Sequence, residues 1–146
     1  MYPASVASVV EVMGGRHVVG LAGDGLSDLE QAIEHGLPTV VARNVAASIS
    51  PSDSVVRKRV MDMIASPATL KRRKTLSPEA GERAERLARI TALAQQALGN
   101  TEDAQNWLTQ PYMLFGHRRP IEVAAIDLGA RHVEQMLHDI EYSLPV

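Results

Sequence analysis

The chain has 146 residues, 45% of them hydrophobic but only 3% aromatic, with no cysteine and a formal net charge of −2. That apolar content excludes a disordered chain, the absence of cysteine excludes a disulfide framework or thiol chemistry, and no apolar run approaches the ~20 residues that cross a bilayer. The near-neutral total hides an uneven distribution: residues 1–56 carry two basic and six acidic side chains, residues 57–74 seven basic against one acidic, and residues 75–146 six basic against ten acidic.

Residues 1–23 form the least helical stretch, with Pro3, Gly14, Gly15, Gly20 and Gly23. They are read as an irregular N-terminal arm in which His17–Leu21 is a strand or simply extended. A helical pattern begins near Leu26. Ser27 is expected to cap Asp28–Glu34, and Gly36 followed by Pro38 stops it. A second apolar segment covers Pro38–Ile49, and Ser50-Pro51-Ser52-Asp53 reads as a turn. Ser54–Ile64 follows, with Val56, Val60, Met63 and Ile64 on one face and Arg57, Lys58 and Asp62 on the other.

After Ala65, Ser66 and Pro67 have the composition of a helix start, a capping hydroxyl followed by a residue whose missing N–H costs nothing there. The helix they open, through Lys71, Arg72, Arg73 and Lys74, is short and basic, so residues 54–74 have a helix–turn–helix outline. Ser77-Pro78-Glu79 opens the longest helix, Pro78–Leu98, with Ala80, Ala84, Leu87, Ile90, Leu93, Ala94 and Ala97 in its apolar stripe and Gly99 as its left-handed stop. Thr101 is expected to cap a helix ending before Pro111, Pro120 to open one to about Leu128 with Gly129 as its stop, and Ala130–Tyr142 to form the last. Val133, Met136, Leu137 and Ile140 line one side of that last helix. The fold class is all-α, divided into the arm at 1–23, a helix–turn–helix-like domain at 24–76 and a C-terminal helical domain at 77–146.

Catalytic patterns are lacking. Gly20, Gly23 and Gly25 do not have dinucleotide-loop spacing, and no Lys-Ser/Thr follows them to reach a phosphate. Asp24, in a Gly-Asp-Gly-Leu-Ser-Asp run resembling a haloacid-dehalogenase loop, lacks the upstream nucleophilic Asp and the Lys of that chemistry. The five histidines contain no i, i+4 pair, and Glu134 and His138, one turn apart, read as a solvated ion pair. No metal site, cofactor or catalytic set is expected. The basic block is the stronger signal. In a helix–turn–helix the second helix enters the major groove, which makes Thr69, Lys71, Arg72 and Arg73 candidate base readers and Arg57, Lys58 and Lys74 candidate phosphate contacts. Trp107 reads as a core anchor, and Tyr142 with Leu144 and Val146 as a chain end that is either frayed or docked.

Leu76-Ser77-Pro78-Glu79 with the Arg-rich run Glu82–Ile90, Ala97-Leu98-Gly99-Asn100, Ala104-x-x-Trp107-Leu108-x-x-Pro111, Gly116, Pro120-Ile121, Gly129 and Val133-Glu134-x-x-Leu137-x-x-Ile140-Glu141-Tyr142 together resemble the Xre–MbcA–ParS family of toxin-binding antitoxins. Ser66-x-x-Thr69-Leu70-x-Arg72-Arg73 is similar to the end of that family's Xre/Cro-like helix–turn–helix. Leu98-Gly99 stands where the family usually has Phe-Gly, and residues 1–23 have no counterpart in it.

The resemblance implies a cytoplasmic antitoxin of a type II toxin–antitoxin pair. Its partner would be a RES-domain toxin, an enzyme that uses NAD either to degrade it or to ADP-ribosylate a protein. The C-terminal helix and tail would block the NAD pocket. Carried onto this chain, Arg131, Glu134, His138, Glu141, Tyr142, Leu144 and Val146 would meet the toxin, with Trp107 holding the domain together beneath them. The resemblance further implies a homodimer, a 2:2 complex with toxin, and repression of its own operon through operator DNA. An inhibitor of this kind is no enzyme and has no cofactor. The competing readings are a stand-alone transcriptional regulator whose C-terminal domain dimerises, and a small hydrolase using Asp24.

Overall fold

The computed structural model describes residues 2–143, and within them the chain is helical: α1 Val6–Val12, α2 Arg16–Val19, α3 Leu26–His35, α4 Val40–Ile49, α5 Ser54–Ile64, α6 Pro67–Arg72, α7 Pro78–Leu98, α8 Thr101–Thr109, a 3-10 turn at Met113–Phe115, α9 Pro120–Val123 and α10 Asp127–Tyr142. Extended pairing among these residues is confined to two isolated bridges, Pro38 with Thr75 and Tyr112 with Arg118. Among the described residues no helix is long and apolar enough to cross a membrane.

Helix α7 organises the molecule. It packs against α1, α3, α4, α5, α8 and α10, and its composition explains how so many neighbours fit. Gly81, Ala80, Ala84, Ala88, Ala92 and Ala94 are buried along it, so neighbouring helices approach its backbone closely while Leu87, Ile90 and Leu93 fill the gaps. At Gly81 a Cβ would stand 3.1 Å from Cγ2 of Ile33, which fixes where α3 crosses. Thr91, buried among these apolar groups, donates its hydroxyl to the Leu87 carbonyl, as a buried polar group must.

The local signals for α5, α6 and α7 match their ends. Asp53 accepts from the Val55 and Val56 N–H groups, Ser66 from Thr69 and Ser77 from Ala80. Gly99 takes the left-handed conformation at φ +86° and ends α7. Leu70, buried, pins α6 to the core. The segment leaving α6 is clipped to the α3–α4 connection: Thr39 N–H donates to the Lys74 carbonyl and Leu76 N–H to that of Leu37.

Other expectations need correction. Residues 1–23 are not an irregular arm. They carry α1 and α2, and Val9, Val10, Val12, Met13 and Val19 are buried in the common core. Ser27 lies inside α3; the start of that helix is held by Asp28, whose carboxylate accepts from the Gly25 N–H. Asn100, not Thr101, caps α8. Gly129 does not stop a helix but lies in the first turn of α10. A Cβ there would meet the Val123 carbonyl oxygen at 1.8 Å, so its role is to let α9 and α10 meet.

Candidate functional site

Two surfaces carry the residues singled out from the sequence. The first is the basic face of α5 and α6. Thr69 sits in the first turn of α6, its hydroxyl oxygen accepting from that of Ser66 at 2.9 Å. Lys71, Arg72, Arg73 and Lys74 are exposed, and among the described residues none of them, nor Lys58, is paired with a carboxylate. Thr69, Arg72 and Arg73 line one side of a cleft of about 260 Å³ whose other side is Ser77, Ala80 and Arg83 of α7 and its cap. Arg57 is placed differently. It sits in the first turn of α5, at the end away from α6, and donates to the Ser50 and Pro51 carbonyls at 3.2 and 2.9 Å. Arg59, in the same basic block, pairs with Glu122 at 3.2 Å.

The second surface is α10. Its buried face is Ala130, Val133 and Leu137; Met136 is partly buried, while Ile140, expected on the apolar side, is 39% exposed. Helical spacing sets Leu128, Gln135 and Tyr142 along the opposite face, with Arg131 and His138 beside them. Arg131 donates from Nε to Asp127 at 3.0 Å. That hydrogen bond, reinforced by the guanidinium charge, lowers the Asp127 carboxyl below its ordinary range. His138 lies with its ring 4.7 Å from that of Tyr142.

Glu134 and Glu141 are turned toward α7 instead. Glu134 accepts from Arg89 Nε at 2.8 Å, so it does not form the expected ion pair with His138. Glu141 accepts from Gln96 at 2.8 Å. Arg89 also donates to both carboxylate oxygens of Glu85, at 2.7 and 3.0 Å. Burial opposes the charge on Arg89, but Glu85 and Glu134 outweigh it and hold the guanidinium above its ordinary pKa. Periodicity could place Arg89 off the apolar stripe of α7, but a partner 45 residues away leaves no local trace.

Between α7 and α10 lies a groove of about 170 Å³, with Leu93 and Leu137 as apolar lining, Pro3 on one wall, and Glu134, His138 and Tyr142 around it. It is smaller than the few hundred Å³ of a small-molecule site and admits a single side chain. Leu144 and Val146 lie outside the described residues. Trp107 is 9% exposed and tilts against Tyr112 at 5.8 Å, as a core anchor does. Asp24 forms an ion pair with Arg16 on an exposed loop. Among the described residues no three His, Asp or Glu side chains are grouped to hold a metal ion.

Comparison with known proteins finds two matches along the chain. Residues 28–89 match a family described as an antitoxin Xre-like helix-turn-helix domain, and residues 93–142 one described as an antitoxin Xre/MbcA/ParS C-terminal toxin-binding domain. The two matches meet within α7, and α1 and α2 precede both. A curated relative, the antitoxin Xre of Pseudomonas putida, is 28% identical over 86 residues, 59% of this chain. The chain spans about half the length of that relative, 54% of it.

Proposed function

The chain belongs to the Xre/MbcA/ParS family of antitoxins, and from that premise we propose that it neutralises a RES-domain, NAD-using toxin by covering its active site with α10 and the tail that follows. The observation that carries this reading is the exposed face of α10. Arg131, His138 and Tyr142 stand together on it, inside the stretch matched to the toxin-binding domain, with a groove sized for one partner side chain beside His138 and Tyr142. A helix with one face buried in its own core and the other polar with an aromatic tip suits a specific, partly wet interface. Inhibition of this kind works by occupancy and asks no catalytic group of the chain.

Glu134 and Glu141 then act from within, fixing the pitch of α10 on α7, while Leu144 and Val146 extend the contact. The protein works as a homodimer in a 2:2 complex with toxin. The test is reconstitution of a purified RES-domain toxin, sought in the reading frame next to this chain's gene, with the full chain, following NAD loss and ADP-ribosylated product separately. Full inhibition by the wild-type chain, reduced by Tyr142→Ala or by truncation after Glu141, is the expected result. Full inhibition by the truncated chain overturns the role of the tail.

The cations of α6, without a carboxylate partner among the described residues, favour a second activity on the same chain, repression of its operon by Thr69, Lys71, Arg72 and Arg73 in the major groove, with Lys58 and Lys74 on phosphates. A stand-alone regulator would share that activity. It would have no neighbouring toxin gene and would form no stable toxin complex.

A further inference from the structure

Four large apolar side chains stand in water near the start of α10: Met113 is 78% exposed, Leu114 76%, Ile126 66% and Leu128 76%. Met113 and Leu114 lie on the 3-10 turn, and Ile126 and Leu128 flank the start of α10. The Phe115 ring packs edge-on against His132 at 5.1 Å, and Leu128 lies one turn before His132 on the same helix, so the 3-10 turn sits beside the first turns of α10. The turn is held in a tight loop. Tyr112 N–H donates to the Arg118 carbonyl at 3.1 Å and His117 N–H to that of Tyr112 at 2.9 Å. Gly116 and His117 both adopt positive φ, +65° and +64°, a conformation uncommon for a residue with a side chain. With Phe115 buried as its root, the loop holds Met113 and Leu114 outward. Apolar side chains kept side by side in water mark an interaction site when they form a contiguous patch.

We propose that this knob is the apolar anchor of the toxin interface, an inference that rests on the antitoxin reading above. The occupant is the toxin rather than a second copy because the four residues share a matched stretch, and Leu128 shares a helix, with the face already assigned to it. Leu128 begins the exposed stripe that passes Arg131 and His138 to Tyr142, and all four apolar residues fall within 93–142, the stretch matched to the toxin-binding domain. The polar stripe supplies orientation, and the knob supplies the desolvated centre that such interfaces need.

The experiment is a calorimetric titration of the same purified RES-domain toxin with the full-length chain and with Met113→Ser/Leu114→Ser. Both side chains are exposed, so the variant keeps the wild-type melting temperature and helical circular dichroism. Its toxin affinity falls roughly tenfold or more, by the same factor at low and high salt, because an apolar contact is not screened. Its oligomeric state in ultracentrifugation is unchanged. Wild-type affinity in the variant overturns the proposal. So does a variant that loses self-association while binding toxin normally, which would make the knob a dimer surface. A wild-type chain that binds no toxin at all overturns the antitoxin reading, and this inference with it.

Discussion

The hydroxyl of Tyr2 donates to Oε2 of Glu85 at 2.6 Å, joining two residues 83 apart in sequence. Glu85 is also the partner of Arg89, whose guanidinium lies 5.9 Å from the Tyr2 ring centroid and reaches on to Glu134 of α10. A segment outside both family matches is thereby connected, through two side chains of α7, to the helix proposed to meet the toxin.

Tyr2→Phe removes a hydrogen bond to a charged acceptor and should cost about 1.5 kcal/mol in urea unfolding. Its pH signature separates it from a loss of packing. Burial, and then the Glu85 carboxylate, push the Tyr2 hydroxyl far above its usual range. The folded protein therefore keeps this proton at pH values where the unfolded tyrosine, titrating near ~10, has lost it. The stabilisation is fully present below that pH and is lost as pH rises beyond it. Above about pH 10 the wild type should lose stability more steeply than Tyr2→Phe; parallel profiles would show that the hydroxyl is not held in this way.

Arg89 and Glu134 should be energetically coupled. Both are partly buried, so Arg89→Met leaves two carboxylates, Glu85 and Glu134, facing each other without their cation, whereas Glu134→Gln leaves Arg89 still paired with Glu85. Arg89→Met is expected to be the more destabilising, and a double-mutant cycle to give a coupling of about 1 kcal/mol. Additive effects would mean that the Arg89–Glu134 pair does not help to seat α10 on α7.

What the sequence made legible was whatever has a local cause. The starts of α6 and α7 follow from Ser66-Pro67 and Ser77-Pro78, each serine accepting from an N–H three residues away. The exposed face of α10 follows from helical spacing, so Arg131, His138 and Tyr142 could be grouped in advance. Helices α1 and α2 could not be read this way. At seven and four residues they are far too short to form alone and exist because the core receives their valines. Glu134 illustrates the same limit within the site. Its neighbour His138 was in view, but Arg89, 45 residues away, was not, and Arg89 took the carboxylate. Met113 and Leu114 carry no local signal of exposure, and the burial of Phe115 beside them leaves them outward.

Two glycines should respond very differently to a single methyl group. Gly99→Ala adds a Cβ with nothing within 4 Å but at φ +86°, so its cost is the left-handed backbone strain of about 1 kcal/mol. Gly129→Ala drives a Cβ into the Val123 carbonyl oxygen. The α9–α10 junction must then open, at a cost of about 3 kcal/mol. Thermal unfolding of the two variants checks the order. If Gly129→Ala also weakens toxin binding, the loss should exceed that of Gly99→Ala, because the start of α10 moves with it.

Arg72→Glu/Arg73→Glu tests the basic face without disturbing the core. Both side chains are exposed, neither is paired with a carboxylate among the described residues, and the buried residue of α6 is Leu70. The variant should therefore keep its stability to within about 0.5 kcal/mol. Wild-type binding to a fragment spanning the promoter of its own gene should weaken steeply as salt rises, with a slope reduced by about one for each phosphate contact removed. In the variant, binding should disappear at low salt, while Arg57→Ala, whose side chain holds the α4–α5 turn, should lower stability more than it lowers the salt slope. If α6 reads bases, Thr69→Ala should lessen the preference for that fragment over bulk DNA with little change in the slope. A variant that still binds the promoter at wild-type affinity would move any DNA contact away from α6 and leave the basic cleft against α7 for another partner.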